Sequence, residues 1–145
     1  GYLMAAINLS TIRSTIETRL RDEFRTGRPI TTVFSNTPFD ASTVDTFIQC
    51  IVSFGSSSYQ TQGSNTDATI IQTGLVLINI FTKQGVGSGD NFTICKRIRD
   101  LYNRMTVSDV IFDAPIGPEI IDSTPEGKFQ TQMRITFEIY ETLTT

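Results

Sequence analysis

The sequence predicts an α+β fold: a mainly antiparallel β-sheet of four to five strands, two α-helices packed on one face, and a long hairpin tip, in the order α-β-β-β-α-β-β. Three observations carry this prediction. Two segments place apolar residues three or four apart, the spacing of a helix with one buried stripe. Two arms, over 47–54 (FIQCIVSF) and 68–82 (ATIIQTGLVLINIFT), are long, apolar and rich in β-branched residues. The closing segment, 128–142, alternates apolar and polar residues, as a strand with one buried and one wet face requires. Two amphipathic helices laid on one face of such a sheet bury these stripes economically.

The first helix is expected over 10–26. Leu9, Ile12, Ile16, Leu20 and Phe24 make its stripe, and Asn8 or Ser10 can cap its start. Gly27 can take the left-handed position after it, and Pro29 forbids continuation. Arg13, Arg19, Arg21 and Arg25 point elsewhere, with Glu17 and Arg21 as a favourable i,i+4 pair. A short strand follows over 30–34 (ITTVF), broken by Ser35-Asn36-Thr37-Pro38.

In the first hairpin arm Ile48, Cys50, Val52 and Phe54 share a face, with Phe47 and Ile51 on the other. In the second, Ile70, Val76, Ile78 and Ile80 lie opposite Ile71, Leu75, Leu77 and Phe81. Both faces are apolar in places. Either these strands are covered on both sides, or one face meets a neighbouring subunit. Between the arms, GSSSYQTQGSNTD carries no charge before Asp67. A two-residue turn would close the hairpin at lower entropic cost, so a long connection inside a compact domain points to function or disorder.

Gly85, Gly87 and Gly89 form a connector, Asp90 caps a second helix over 91–105, and Phe92, Cys95, Ile98, Tyr102 and Met105 form its stripe, with Leu101 beside it. Residues 110–112 form a short strand. Residues 113–127, with Pro115, Pro118 and Pro125, read as a loop in which Ile120-Ile121 adds a few paired residues. In the last strand Phe129, Met133, Ile135, Phe137 and Ile139 face one way. Gln130, Gln132, Arg134, Thr136 and Glu138 face the other.

The chain has 145 residues, 39% hydrophobic and 19% charged, a composition suited to one globular domain with a real core. That domain is expected over 8–142. Residues 1–7 read as an N-terminal extension, a cloning or processing remnant, with no basic region that would make a signal peptide. No apolar run approaches the ~18 residues of a membrane span. Cys50 and Cys95 fall on core faces and read as small buried hydrophobes; a disulfide between them would need Cα atoms within ~7 Å. Asn8-Leu9-Ser10 and Asn91-Phe92-Thr93 match the glycosylation pattern by chance.

Net charge is −3, but residues 1–30 are net +2, residues 96–104 (KRIRDLYNR) net +3, and the remainder net −8. The basic runs are either solvated helix faces or surfaces that pair with acidic ones on another copy. Histidine is absent, which removes Ser-His-Asp, Cys-His and His-ligated metal chemistry. The connector glycines match neither a dinucleotide fingerprint nor a P-loop, and Asp90 would repel a phosphate there. Asp109, Asp113, Glu119, Asp122 and Glu126 match no calcium loop and read as solvated turns. The acidic balance argues against nucleic-acid binding. No catalytic, metal-binding or cofactor-binding residue is expected, and the chain is read as a non-enzyme.

The order of elements then carries a resemblance. An amphipathic helix ends in Gly-x-Pro; a short strand and a hairpin with a long polar tip follow. Then come a Gly-rich connector, a second helix (FTICKRIRDLYNRM), and a closing strand (GKFQTQMRITFEIYE) after a Pro/Gly loop. Over about 8–142 this resembles the small tail terminator and tail completion (neck) proteins of long-tailed bacteriophages. The resemblance implies a structural virion protein without cofactors, assembled in the bacterial cytoplasm. It implies a self-assembled ring, usually a hexamer, that terminates the tail tube and joins it to the head connector. Its partners would be other copies, the tube protein and connector or neck proteins, with DNA passing through unbound and no membrane. The alternatives are another neck or head–tail connector protein of the same fold, a small non-viral ligand-binding module, or a small hydrolase or isomerase using the acids of 109–126. For the interface, the uncharged tip is the first candidate: Ser57, Ser58, Tyr59 as aromatic anchor, Gln60, Gln62 and Asn65. The connector (Gly87, Asp90), the Pro-rich loop (Pro115, Pro118) and the basic first helix (Arg13, Arg21) are further candidates.

Overall fold

A computed structural model describes residues 8–59, 69–122 and 124–142. Helix α1 runs Leu9–Glu23, and Asn8 caps it by accepting a 3.1 Å hydrogen bond from the Thr11 amide. Ile12, Ile16, Leu20 and Phe24 are buried as the periodicity predicts, while Leu9 stays exposed at the end of the stripe. Gly27 adopts the predicted left-handed conformation at φ +66°. The expected Glu17–Arg21 pair does not form. Glu17 is held instead by Arg13 at 2.8 Å, and Arg21 turns to the Thr18 hydroxyl. Glu17 has an arginine one turn away on either side, so spacing alone could not choose between them.

Strand β1 (Thr31–Phe34) is followed by a single 3₁₀ turn (Ala41–Thr43) and by the hairpin strands β2 (Phe47–Tyr59) and β3 (Thr69–Lys83). Helix α2 (Gly89–Tyr102) precedes β4 (Thr106–Val107), β5 (Val110–Phe112), β6 (Ile116–Ile121) and β7 (Lys128–Thr142). The sheet therefore has seven strands among the described residues, not four or five, in the order β1-β2-β3-β7-β5-β4 with β6 also pairing β7. β4 is too short to show alternation, and β6 is interrupted by Gly117-Pro118, so neither left a period to read. The antiparallel expectation holds for every pair but one: β1 runs parallel to β2, because the connection over 35–46 returns the chain to the same end.

The helices cover one face of the sheet. On that face the register aligns Cys50, Ile78 and Met133, then Val52, Val76 and Ile135, then Phe54, Gly74 and Phe137. These residues belong to a core shared with Ile16, Leu20, Ile94 and Ile98. Gly74 is required where it stands. A Cβ there would lie 2.1 Å from the Phe137 ring, which occupies the space a side chain would fill. Phe54 meets the same ring edge-on at 6.0 Å.

α2 is rotated from its predicted stripe. Cys95, Ile98 and Tyr102 are buried as expected, but Asn91 and Ile94 are buried with them, while Phe92 is 40% exposed; the helix ends at Tyr102 rather than at 105, so Met105, also 40% exposed, lies beyond it. Both faces satisfy the helical period; the packing partner chose this one. Asp90 does not cap the helix, whose N-cap is Ser88; it forms a two-pronged ion pair with Arg28, one arm at 3.0 Å. Asn91 is sealed, its amide donating to the Ile80 carbonyl at 3.0 Å while its oxygen accepts from the Thr131 hydroxyl. This excludes Asn91 as a glycan acceptor in the folded chain. Tyr102, also sealed, donates to the Ile16 carbonyl at 2.8 Å and so joins the two helices. No helix among the described residues is long and apolar enough to cross a membrane.

Candidate assembly interface

The predicted site residues do not converge on one place. Ser57, Ser58 and Tyr59 are not loop residues: β2 continues through them, opposite Gln72, Ile71 and Ile70. Their high serine content disguised a strand, because pairing with the apolar start of β3 outweighs the weak β-propensity of serine. Gln60, Gln62 and Asn65 lie outside the described residues. Gly87 (φ +88°) and Asp90 follow the far end of β3. A 15-residue strand separates them from the tip, roughly 50 Å at 3.3 Å per residue. Pro118 is on β6 at a register shift and Pro115 just before that strand, beside Arg134 near the middle of β7. Arg13 lines an open groove of about 900 Å³ along α1, with Ser14, Thr18 and Arg19 and closed below by Leu101 and Val107.

Much of the basic charge is engaged within the chain. Arg97 reaches the Glu23 carboxylate at 2.8 Å and lies over the Phe24 ring at 4.3 Å. Arg99 donates to the Gly117 carbonyl at 2.6 Å, and Lys96 pairs with Asp100 one turn on. Arg19 donates to the Leu101 carbonyl at 3.0 Å. The KRIRDLYNR run therefore fastens α2 to α1 and to β6 in addition to facing solvent.

The acids of 109–126 do not gather into a site. Asp109, Asp113, Glu119, Asp122 and Glu126 are all exposed. Asp113 accepts from the Thr136 hydroxyl at 2.6 Å, and Glu119 faces Arg134 at 4.0 Å. Among the described residues no three metal-ligating side chains cluster. Both cysteines are buried and free; burial pushes the Cys50 thiol up to about 12 and raises Cys95 too, so neither is a ready nucleophile.

What sequence reasoning missed is the contrast between the sheet's two faces. Opposite the helices, the expected wet face of β7 is dry at one end. Val33, Phe47 and Phe81 form a second small cluster, with Phe47 and Phe81 stacked at 4.5 Å and Ala41 and Val44 over them. Gln130 and Lys128 are buried beside it, and Lys128 donates to the Val44 carbonyl. Next comes a row of amides. Asn79 donates to Gln49 at 3.0 Å and accepts from Gln130 and Gln132 at 3.1 and 3.0 Å. Beyond that row Ile51, Leu75 and Leu77 lie half-buried on the open face. The signal was present as apolar residues on both faces of the arms; what covers each face was not.

No protein-family model matches the sequence, and no curated protein matches it. The fold does match a solved structure whose own name states no activity. That chain is 14% identical, superposes with a TM-score of 0.66, and the match covers 97% of this chain and 99% of the other. The likeness runs the length of both chains and shows a shared α+β fold.

Proposed function

We propose that this chain is a structural virion protein: the subunit of a homo-oligomeric ring, six copies in the expected form, that ends a phage tail tube and joins it to the head connector. The observation that carries the reading is the ribbon of β2, β3 and β7. It rises past its last shared core layer, Phe54–Gly74–Phe137, with half-buried Ile70 and Ile71 on opposite faces. Such a ribbon loses apolar surface to water unless another chain packs on it. The negative net charge supports a channel through which DNA slides, since like charge prevents backbone binding. The exposed, separate carboxylates of 109–126 favour this architectural reading over an acid–base enzyme.

The test is mass and shape. Light scattering at rising concentration should show a discrete oligomer, and negative-stain images should show rings that bind the ends of tail tubes. A strict monomer at high concentration that leaves tubes unbound counts decisively against the proposal. Shortening the hairpin tip over 60–68 to a tight turn should leave a folded subunit that assembles poorly. Loss of the fold instead would make the tip a structural element.

A further inference from the structure

The edges of the sheet differ in how they are defended. Exposed strand edges attract other strands, and proteins blunt them with short strands, charge, proline or bulges. β1 is four residues long and β4 two. β6 carries Pro118 and Glu119 and is broken by a register shift. β2 is the least defended: it is long, and its one such device is the register shift between Phe54 and Ser57. β1 pairs only as far as Cys50. From Ile51 to Tyr59, the only strand paired with β2 among the described residues is β3. That edge, IVSFGSSSY, holds no charged residue and no proline.

A second opening lies on the other side of the same ribbon. β5 pairs with β7 at Phe137 and Glu138, and β6 pairs with it between Gln130 and Arg134. At Ile139 and Tyr140 the strand partner among the described residues is β3 alone. The two openings stand at one height, since Ser57, Gln72 and Ile139 are in register, as are Ser58, Ile71 and Tyr140. β2 and β7 are both antiparallel to β3, so they run parallel to each other.

Resting on the ring reading above, we infer that neighbouring copies join by strand addition: the β2 edge of one copy, at Ser57 and Ser58, lies parallel against the β7 edge of the next, at Ile139 and Tyr140. The occupant is a second copy because one rotation carries one opening onto the other. Two different edges of one subunit then meet head to tail, the arrangement that closes into a ring. The register shift in β2 between Phe54 and Ser57 adds the local twist that a closing sheet needs. Tyr140, 44% exposed, would be covered by the joint.

The experiment is oxidative cross-linking of the full chain. Within one copy, β3 separates Ser58 from Tyr140, leaving them two strand spacings or roughly 9–10 Å apart, beyond the ~7 Å Cα limit for a disulfide. Across the inferred joint they are neighbours. Ser58→Cys/Tyr140→Cys should give a ladder of covalent multimers up to the ring size on a non-reducing gel. Ser58→Cys/Thr142→Cys covers a one-repeat slip of register and does not alter Tyr140. Each single variant, and the wild-type chain with its buried Cys50 and Cys95, should stay monomeric on that gel. A ring of wild-type mass with no ladder from either double variant overturns the strand joint and leaves the ring standing. Dimers from a single variant overturn the head-to-tail arrangement. A chain that light scattering shows to be monomeric at every concentration overturns both the joint and the ring.

Discussion

The helix-covered face and the open face of the sheet are made from the same strands, yet they meet the cost of burial in different ways. On the covered face Ile48, Cys50, Ile78, Ile80, Met133 and Ile135 are wholly excluded from water. Its polar groups, Asn91 and Thr131, bond to each other and to the backbone, with no route to solvent. On the open face an amide row separates a small aromatic cluster from half-buried aliphatic residues. A strand's alternation sorts its side chains onto two faces. Which face becomes a core depends on where the helices settle.

The largest expected effect tests the covered face. Phe137→Ala should cost about 3–5 kcal/mol, because it removes the ring that fills the space over Gly74 and touches Phe54 and Phe112. Denaturant unfolding measures it, and a loss below ~1 kcal/mol would show that the two faces had been assigned the wrong way round. An intermediate effect compares two asparagines. Asn91→Ala leaves the Thr131 hydroxyl only the weak Cys95 sulfur at 3.3 Å and removes the side-chain donor to the Ile80 carbonyl, all in a sealed site, and should cost about 1–3 kcal/mol. Asn79→Ala frees the half-buried amides of Gln49 and Gln132, which can turn to water, and deprives only the buried Gln130 amide of an acceptor, so it should cost less, about 0.5–1.5 kcal/mol. Equal losses from matched unfolding curves would erase the distinction between the faces.

The smallest effect sits on the surface. Arg28, by hydrogen bond, holds the Asp90 carboxyl below its usual 3.8. A lowered folded-state value means that the pair's contribution is present above the unfolded pKa and fades as pH falls through the folded one. Asp90→Asn should therefore lose no more than about 1 kcal/mol at neutral pH, since the pair is largely solvated. The gap to the wild-type protein should close below pH 3.8. A gap that widens on acidification would reverse the sign and remove the pair from the account.

Elements with an uninterrupted pattern were legible before any coordinates. The last strand, expected over 128–142, is Lys128–Thr142; the α1 stripe from Ile12 to Phe24 is buried as its spacing requires. Elements without a pattern were not. β4 has two residues, and β6 contains a proline. Ser57 to Tyr59 look like loop until the pairing with β3 is seen. The candidate interface was legible only as a tendency: an uncharged tip and arms apolar on both sides. Its proposed edges are relations between strands distant in sequence, and no local window contains them.

By itself, the sequence determined the α+β class, the faces of its long strands and the absence of imidazole chemistry, because local periodicity and composition set these. Only the tertiary structure decided that β1 lies parallel to β2, that α2 buries Asn91 rather than Phe92, and that β2 outruns its neighbour. The reason is the same in each case. Several local arrangements were nearly equal in free energy, and contacts between remote segments selected one.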